Sequence, residues 1–262
     1  TGGVSLSGTG LDLSGTLIGG NTSSAVGSTW GDVSLTATSG DILTRQAQVS
    51  TPGLLSITAN NLGAQTLDNG GGLLSGGQLL IQVGQLSNSQ GSIQQTATGV
   101  QTARMVATGN ISNSAGQIVT NAQDVLVQAG GALSNSGGFI TAQNHLRLTA
   151  ADMSNSGTLY AGGSQNINIS QTLTSSGVLA AAGDINLRAG IFSGSQGHMV
   201  AAGMGSDGLL GGTGALTMRT EGMLQSAGQL RATGGVSLSG TGLDLSGTLI
   251  GGNTSSVVGS TR

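Results

Sequence analysis

Ten carboxylates have the clearest capacity for chemistry in this chain: Asp12, Asp32, Asp41, Asp68, Asp124, Asp152, Asp184, Asp207, Glu221 and Asp244. Enzymes that cleave glycosidic bonds need two carboxylates at a fixed separation. Here they occur nearly once per repeat of the sequence, at differing offsets, so no such pair is predicted. A polysaccharide lyase usually also employs lysine or arginine, and lysine is absent. We therefore predict no catalytic residue and no enzymatic activity.

One glycine-rich segment, Gly203–Leu209, matches a single unit of a calcium-binding nonapeptide pattern. In the next unit Gly212 and Gly214 are in phase, but Leu216 stands where the second carboxylate belongs. Calcium binds about six to eight oxygen ligands, more than one aspartate provides. We interpret the segment as a loop and predict neither a metal site nor a cofactor.

Histidines and aromatic residues are scarce. His145 and His198 have no acid or cysteine partner nearby in sequence, and both lie beside strand positions, so a solvated or turn-bonding role is predicted. Trp30 and Tyr160 are isolated, too few for a sugar-stacking platform. Asp32 and Asp184 directly precede predicted strands, where aspartate commonly caps a turn.

The composition excludes several classes of partner. The formal net charge is −3 and the seven arginines are scattered singly, so no basic patch for nucleic acid is visible in the sequence, and only a weak groove assembled from distant coils stays open. No apolar run approaches the ~20 residues that span a bilayer. Cysteine is absent, which excludes disulfides and thiolate metal sites. Aromatics make up 2% and there are 50 glycines, a composition that favours a core of small aliphatic residues with tight turns.

The elements that position these side chains are predicted from a sequence repeat of about twenty residues. An apolar residue precedes a Ser/Asn/Gly turn and a second apolar residue six or seven places on, as in Leu86–Ile93 and Leu133–Ile140. Repeats are predicted to start at Leu11, Ile42, Leu67, Leu86, Ile111, Leu133, Met153, Leu173, Phe192, Met223 and Leu243. A short period of this kind is typical of a solenoid, in which each repeat buries its apolar face against its neighbours.

A second signal in each repeat is an apolar–x–apolar triplet, whose period of two indicates a strand with one face inward. The triplets are Val33/Leu35, Leu55/Ile57, Leu79/Ile81, Val125/Val127, Leu146/Leu148, Ile167/Ile169, Ile185/Leu187, Leu216/Met218 and Val236/Leu238. Parallel connections are right-handed by strong default. We predict an all-β, right-handed parallel β-helix with coils of about 20 residues, in which Ile118, Ile140, Val127, Leu148, Ile169 and Leu187 are buried.

Asparagines occupy a constant place in this repeat. Asn69, Asn88, Asn113, Asn135 and Asn155 each lie two residues after a repeat start. Stacked coils would place them above one another, where side-chain amides form a hydrogen-bonded ladder. Asparagine also tolerates the left-handed turn conformation. The predicted role is structural.

Two features concern the extent of the repeat region. Residues 1–30 and 233–262 match at 28 of 30 positions, which indicates a block duplication. We expect residues 1–262 to be a single β-helical segment of about eleven coils, cut from a longer array, with exposed ends that fray or pair end-to-end with other copies. Two long repeats predict loops near Asn21–Trp30 and Gly203–Gly212.

The stretches Leu67–Ile81 and Leu133–Leu148 resemble filamentous haemagglutinin repeats. In the same register the resemblance extends over nearly the whole chain. It implies a stalk segment of a two-partner-secreted exoprotein of Gram-negative bacteria, a group that includes adhesins and contact-dependent growth-inhibition effectors. The family's secretion domain and its toxin or adhesive tip have no counterpart in this sequence.

The resemblance implies a rigid secreted rod at the outer cell surface that holds a distal adhesive or toxin domain. Its expected partners are an outer-membrane two-partner-secretion transporter and a receptor on a host or neighbouring cell, with no nucleic acid. Two alternatives stay open: direct adhesion to a receptor or glycan through the exposed loops, and a polysaccharide-processing β-helix such as a lyase or tailspike.

Overall fold

The computed structural model describes residues 3–19, 31–59, 65–251 and 255–259. Within these ranges the chain is all β, without a helix. It divides into two compact units, Thr1–Gly131 and Ala132–Arg262. The predicted loop near Asn21–Trp30 lies outside the described residues, as do parts of both termini.

The described strands of the first unit are β1 Val4–Gly8, β2 Leu11–Asp12, β3 Leu17–Gly19, β4 Val33–Ala37, β5 Ile42–Leu43, β6 Gln48–Ala59, β7 Thr66–Asp68, β8 Leu73–Val83, β9 Gln85–Ser87, β10 Ser92–Gln95, β11 Thr102–Ala107, β12 Ile111–Ser112, β13 Gln117–Thr120 and β14 Asp124–Ala129.

The described strands of the second unit are β15 Ala132–Asn135, β16 Phe139–Ala142, β17 His145–Ala150, β18 Asp152–Asn155, β19 Thr158–Ala161, β20 Gln165–Ser175, β21 Val178–Ala181, β22 Ile185–Gly194, β23 Met199–Ala202, β24 Leu216–Thr220, β25 Met223–Ser226, β26 Gln229–Ala232, β27 Val236–Gly240, β28 Gly242–Asp244, β29 Thr248–Gly251 and β30 Ser255–Gly259.

Each coil of the first unit contributes to three parallel columns of strands. The columns are the turn-side strands β2, β5, β7, β9 and β12, the anchor strands β3, β6, β8, β10 and β13, and the triplet strands β1, β4, β6, β8, β11 and β14. Strands β6 and β8 run from the anchor column into the triplet column, and their register shifts between Thr51 and Leu54.

The second unit has the same three columns but a different continuous corner. Strands β20 and β22 run from the triplet column into the turn-side column, and their register shifts between Ile169 and Thr172. The anchor column consists of the separate short strands β16, β19, β21, β23, β26 and β29.

The core of each unit is a stack of aliphatic side chains, because buried and more exposed residues alternate along most strands. In β14, Val125 and Val127 are buried beside half-buried Leu126 and Gln128. The six side chains predicted to be buried have exposed fractions of 0–2%: Ile118, Ile140, Val127, Leu148, Ile169 and Leu187. Complete burial of one such side chain stabilises the fold by roughly 1.5–3 kcal/mol.

The predicted parallel β-solenoid is confirmed, with turns of roughly 22 residues compared with the predicted 20. Right-handedness stays a prediction from the general rule for parallel connections. Most predicted repeat starts are register partners: Leu11 pairs with Ile42, Ile42 with Leu67, and Leu133 with Met153.

One repeat start is wrong by a residue. Leu224, not Met223, is the register partner of Phe192 and of Leu243. Leu224 is buried, whereas 47% of Met223 is exposed. Both residues are apolar, so the sequence pattern alone does not distinguish which one faces inward.

One triplet also lies elsewhere in the register than expected. Ile167 pairs with Leu148 and Leu187, so Gln165 takes the position of Leu146 and Ile185 in the stack. Gln165 is completely buried, and its amide nitrogen donates to the Ala180 carbonyl at 2.7 Å. The aliphatic stack is therefore interrupted there by one amide.

The segment Gly203–Gly212, where a loop is predicted, contains a small hairpin. Met204 and Leu210 form an antiparallel bridge, and the Gly205 amide donates to the Leu209 carbonyl at 2.9 Å. Gly208 has a positive φ of 79°, a backbone conformation that glycine adopts without strain.

No helix in the described part of the chain has the length and apolar character needed to cross a membrane.

Candidate functional site

The most ordered polar feature of the first unit is the corner that follows the turn-side strands. Asn69, Asn88 and Asn113 are completely buried there. Each side-chain amide donates to the next side-chain oxygen, from Asn69 to Asn88 and from Asn88 to Asn113, both at 2.8 Å. We call this row the asparagine ladder, and it confirms the stacking predicted from sequence.

Two rungs of the ladder also close their own turns. The amide nitrogens of Asn69 and Asn113 donate to the carbonyls of Gly72 and Gly116, at 3.1 and 3.2 Å. A Cβ at Gly116 would collide with the Asn88 carbonyl, which explains why glycine occupies this place. The ladder joins consecutive coils through groups that would otherwise be buried without partners.

The left-handed residue of these turns is not the asparagine, contrary to the expectation from sequence. Positive φ occurs two residues later, at Gly71, Gln90 and Ala115, with φ of 63°, 56° and 50°. The asparagine is instead selected for its amide, which both donates and accepts. Gln90 and Ala115 carry a backbone conformation that is unfavourable for residues with a Cβ.

The second unit begins its corner in the same way and then departs from it. The Asn135 amide donates to the Asn155 oxygen at 2.8 Å. The register then places Ser175, Gly194 and Ser226 in succession at the asparagine position. The Ser175 hydroxyl is buried and has no hydrogen-bond partner.

His198 fills the space of the missing amides. Its side chain is almost completely buried, with its ring 5.6 Å from the Phe192 ring in an edge-on arrangement. Nδ1 lies 2.6 Å from the Ser195 carbonyl oxygen, and Nε2 lies 3.1 Å from the Ser226 hydroxyl. A carbonyl only accepts, so Nδ1 carries the proton and Nε2 accepts from Ser226.

Burial lowers the pKa of His198, and the Ser195 hydrogen bond opposes that shift. The imidazole is therefore neutral in the folded chain at neutral pH. The predicted turn-bonding role is confirmed, but the solvated role is wrong for His198. The other histidine, His145, is exposed, and its Nδ1 accepts from the Ser164 amide at 3.1 Å.

Four aspartates share one structural task that the sequence did not reveal. Their carboxylates accept backbone amides from the following coil at 2.8–3.1 Å: Asp32 from Leu54, Asp41 from Thr66, Asp152 from Thr172, and Asp184 from Ala215. Asp32 and Asp184 are thus caps as predicted, although the capped amide belongs to another coil. The common signal is an aspartate at the start of a strand: Asp32, Asp41 and Asp184 directly precede one, and Asp152 is the first residue of β18.

Other carboxylates bind within their own turn, as Asp12 does, or to a side chain of an adjacent coil, as Asp68 and Asp244 do. Asp12 accepts the Ser14 amide at 3.1 Å, and its bonds to Ser14 lower the pKa of its carboxyl group, to which Arg45 also contributes. Asp68 lies 2.7 Å from Arg45, and Asp244 accepts the Gln225 amide at 3.1 Å. Among the described residues, no three His, Cys, Asp or Glu side chains gather into a group that could hold a metal.

In the segment Gly203–Leu209, which matches one unit of the calcium-binding pattern, the Asp207 carboxylate accepts a hydrogen bond from the Leu209 backbone amide at 3.0 Å and so closes its own turn. The hairpin covers an apolar patch on the outer face of the anchor strands: Met204 and Leu210 pack with Tyr160, Ala180 and Ala201. Burial, followed by the Asp207 charge, raises the pKa of the Tyr160 hydroxyl. The absence of a calcium site stays a prediction.

A comparison with curated proteins finds a relative for part of the chain. Over 62 residues it is 42% identical to Toxin CdiA of Yersinia pestis. The matched part covers 24% of this chain and 2% of that protein. No family model matches the chain, and no solved structure matches it significantly.

Proposed function

We propose that this chain is a stalk segment of a filamentous haemagglutinin-like exoprotein, which presents a distal adhesive or toxin domain in adhesion or contact-dependent inhibition. The observation that carries the proposal is the repeated corner. Within each unit the coils stack inward aliphatic side chains, and side-chain amides bond from coil to coil, from Asn69 to Asn88 and from Asn135 to Asn155. Such an element resists bending without needing a ligand.

The inter-coil aspartates strengthen the same interpretation. In addition to the ladder of strand hydrogen bonds, Asp32, Asp41, Asp152 and Asp184 each join a side chain to the backbone of the following coil. Because these carboxylates accept backbone amides, their chemistry is structural. We therefore propose a mechanical role without catalysis.

The relative supports the cellular setting of this proposal. A protein named as a toxin shares 42% of residues with this chain over 62 positions. The segment is then secreted through an outer-membrane two-partner-secretion transporter and displayed at the bacterial surface. A chain without cysteine or lysine and with 6% charged residues suits passage through a narrow pore before folding.

Whole-coil excision tests the stalk role. We would place the 262-residue chain between a two-partner secretion domain and a C-terminal adhesive reporter, then delete residues 133–152, which removes one coil and keeps the register. Export and reporter binding should persist. Deleting residues 133–142 instead removes half a coil and should abolish surface display. Loss of reporter binding after the whole-coil deletion, with display intact, would contradict a stalk.

Direct adhesion is a second candidate, and the hairpin favours it. Leu209 is 67% exposed beside the turn of the hairpin, where its side chain is accessible to a receptor. Leu209→Ser should weaken binding of the purified chain to target cells if this tip contacts a receptor. Leu17→Ser is a matched control, because Leu17 is also largely exposed but lies on a strand in the other unit. Equal binding by both variants would remove this candidate.

A further inference from the structure

A shallow groove of about 490 Å³ lies on the outer face of the triplet strands in the second unit. The residues that line it include Arg147, Asn166, Asn168, Asn186, Arg188, Thr217 and Arg219, which we call the arginine–asparagine face. All seven side chains are exposed and point away from the core. The face therefore contributes little to packing.

Two rows of side chains cross this face in register. In one row Arg147, Asn166, Asn186 and Thr217 are successive partners. In the other row Thr149, Asn168, Arg188 and Arg219 are partners. Parallel strands lie about 4.8 Å apart, so each step along the groove presents a new pair of polar groups.

The charge of the face differs from that of the chain. Three of the seven arginines gather here, although the formal net charge is −3. Arg188 and Arg219 are direct register partners, which places like charges side by side. Only Arg188 has an ion pair, at 2.9 Å to Glu221, and both side chains are more than 60% exposed. Within the described ranges, Arg147 and Arg219 have no ion-pair partner.

These observations select one class of ligand. Guanidinium groups pair with carboxylate or sulfate oxygens, and side-chain amides both donate to and accept from hydroxyls. The strand spacing is close to the length that one sugar adds to an extended polysaccharide. An acidic glycan lying across the strands would meet an amide or a guanidinium at each coil.

The face suits other polyanions less well. None of its described lining residues is aromatic, so single-stranded nucleic acid finds no stacking platform. An acidic peptide would use the arginines but not the hydroxyl-binding capacity of Asn166 and Asn186. The juxtaposition of amides with guanidiniums is what distinguishes recognition of a sugar polymer from binding of any polyanion by charge alone.

We propose that the arginine–asparagine face is a binding site for an acidic glycan, with Arg147 and Arg219 pairing its anionic groups and Asn166 and Asn186 its hydroxyls. The site is additional to the stalk role. It also shows why sequence found no basic patch: residues 147, 188 and 219 are far apart along the chain and meet only across coils.

Binding of defined polymers to the full chain tests the proposal. Oligogalacturonate and dextran sulfate provide carboxylated and sulfated sugars, dextran a neutral sugar, and polyglutamate carboxylates without sugars. We expect at least one acidic glycan to bind more tightly than dextran and polyglutamate, with an affinity that falls as salt rises. Which acidic glycan binds identifies the anionic group. Equal binding of polyglutamate, or no binding of either acidic glycan, would overturn the proposal.

Two sets of variants locate the site. Arg147→Gln combined with Arg219→Gln should raise the Kd for the glycan at least about tenfold. Arg104→Gln is the matched control: Arg104 is exposed on a triplet strand of the first unit, between Leu80 and Leu126 instead of asparagines. It should leave the Kd unchanged, and an equal loss in both would place the binding elsewhere.

The asparagines distinguish sugar recognition from charge. The double variant Asn166→Ala, Asn186→Ala should bind the acidic glycan several-fold more weakly and leave any residual polyglutamate binding unchanged. Exposed positions tolerate these changes, and hydrogen exchange of the variant should match that of the parent chain. Equal weakening of both polymers would overturn the assignment of Asn166 and Asn186 to hydroxyls.

Discussion

The turn corner is built in two ways in the two units. In the first unit Asn69, Asn88 and Asn113 form a ladder in which every amide is shared between coils. In the second unit the series passes from Asn155 to Ser175 and Gly194, and the imidazole of His198 occupies the space. One corner is closed by amides, the other by a neutral aromatic base.

The replacement of asparagine by histidine at this corner is also visible when two segments of the sequence are compared. Residues 86–92 read LSNSQGS and residues 192–198 read FSGSQGH. The two segments differ at three positions, where Asn88 becomes Gly194, Ser92 becomes His198 and Leu86 becomes Phe192. A Cβ at Gly194 would overlap the His198 ring. Loss of one side chain and gain of another are therefore coupled, because a packed corner conserves volume and hydrogen bonding together.

The largest loss of stability is expected when the asparagine ladder is interrupted. Asn88→Ala removes an acceptor for Asn69 and a donor to Asn113 and Gln117, all buried or partly buried. We expect a loss of about 2–4 kcal/mol. Native-state hydrogen exchange is the suitable measurement, because repeat proteins open locally.

Ser175→Ala is the matched comparison in the other unit. The Ser175 hydroxyl is buried without a partner, so its removal should cost less than about 1 kcal/mol or even stabilise the chain. Similar losses for Asn88→Ala and Ser175→Ala would show that the ladder contributes no more than packing.

The second prediction tests the coupled exchange. Gly194→Asn alone places a side chain in the His198 ring, and His198→Ser alone leaves a cavity, so each should cost about 1–3 kcal/mol. The double variant recreates the asparagine and serine of residues 88 and 92 and should recover at least half of the summed loss. A double-mutant cycle by hydrogen exchange measures this coupling, and strictly additive losses would disprove it.

The third prediction separates the corners by pH. Burial holds the pKa of His198 below the ordinary value of 6.5. As the pH falls through 6.5, His198 is protonated in the unfolded chain but stays neutral in the folded chain. The free energy of unfolding therefore decreases toward acid pH. The slope contributed by this group is at most about 1.4 kcal/mol per pH unit. Amide protection around Phe192–Ser226 should fall between pH 7.5 and 5.5.

Two controls accompany the pH measurement. His198→Gln should remove this part of the pH dependence from the second unit. The side chains of Asn69, Asn88 and Asn113 do not titrate. The asparagine ladder should therefore keep its amide protection over the same pH range. A pH response that survives in His198→Gln would assign the effect to another group.

A smaller stability effect concerns the left-handed residue of the ladder turns. Ala115 has a φ of 50°, whereas Gly71 at the equivalent turn has 63° without the strain of a Cβ. Ala115→Gly should stabilise the first unit by about 1 kcal/mol, measured as increased protection around Asn113. Gly71→Ala is the reverse test and should destabilise by a similar amount. Opposite signs would mean that unfolded-chain entropy outweighs the strain.

No effect at all is expected from calcium. The hairpin of the second unit contains Asp207, whose carboxylate already closes a turn with Leu209. Titration of the full chain with calcium should leave the Tm unchanged, because a ligand stabilises only the folded state that binds it. A rise of several degrees at millimolar calcium, lost in Asp207→Asn, would identify a metal site in the hairpin.

Some elements were predictable because the signal is local. Apolar alternation of period two identifies inward positions such as Val125 and Val127, and the constant offset of asparagine from the repeat start identifies the ladder. The errors fall where two adjacent residues satisfy the same pattern, as with Met223 and Leu224, or where a polar residue occupies a core position, as with Gln165.

The sequence by itself determined that this chain winds into stacked parallel strands with aliphatic cores and amide-filled turns, since period and residue type are local properties of the chain. Apart from the asparagine ladder, only the tertiary structure decided which polar side chains meet between coils. It brought Arg147, Arg188 and Arg219 onto one face, turned aspartates into links to the next coil, and buried His198 in place of an asparagine. The physical reason is that coil length varies: Leu67 and Leu86 are register partners 19 residues apart, whereas Leu86 and Ile111 are 25 apart, so distance along the sequence does not fix which exposed side chains become neighbours.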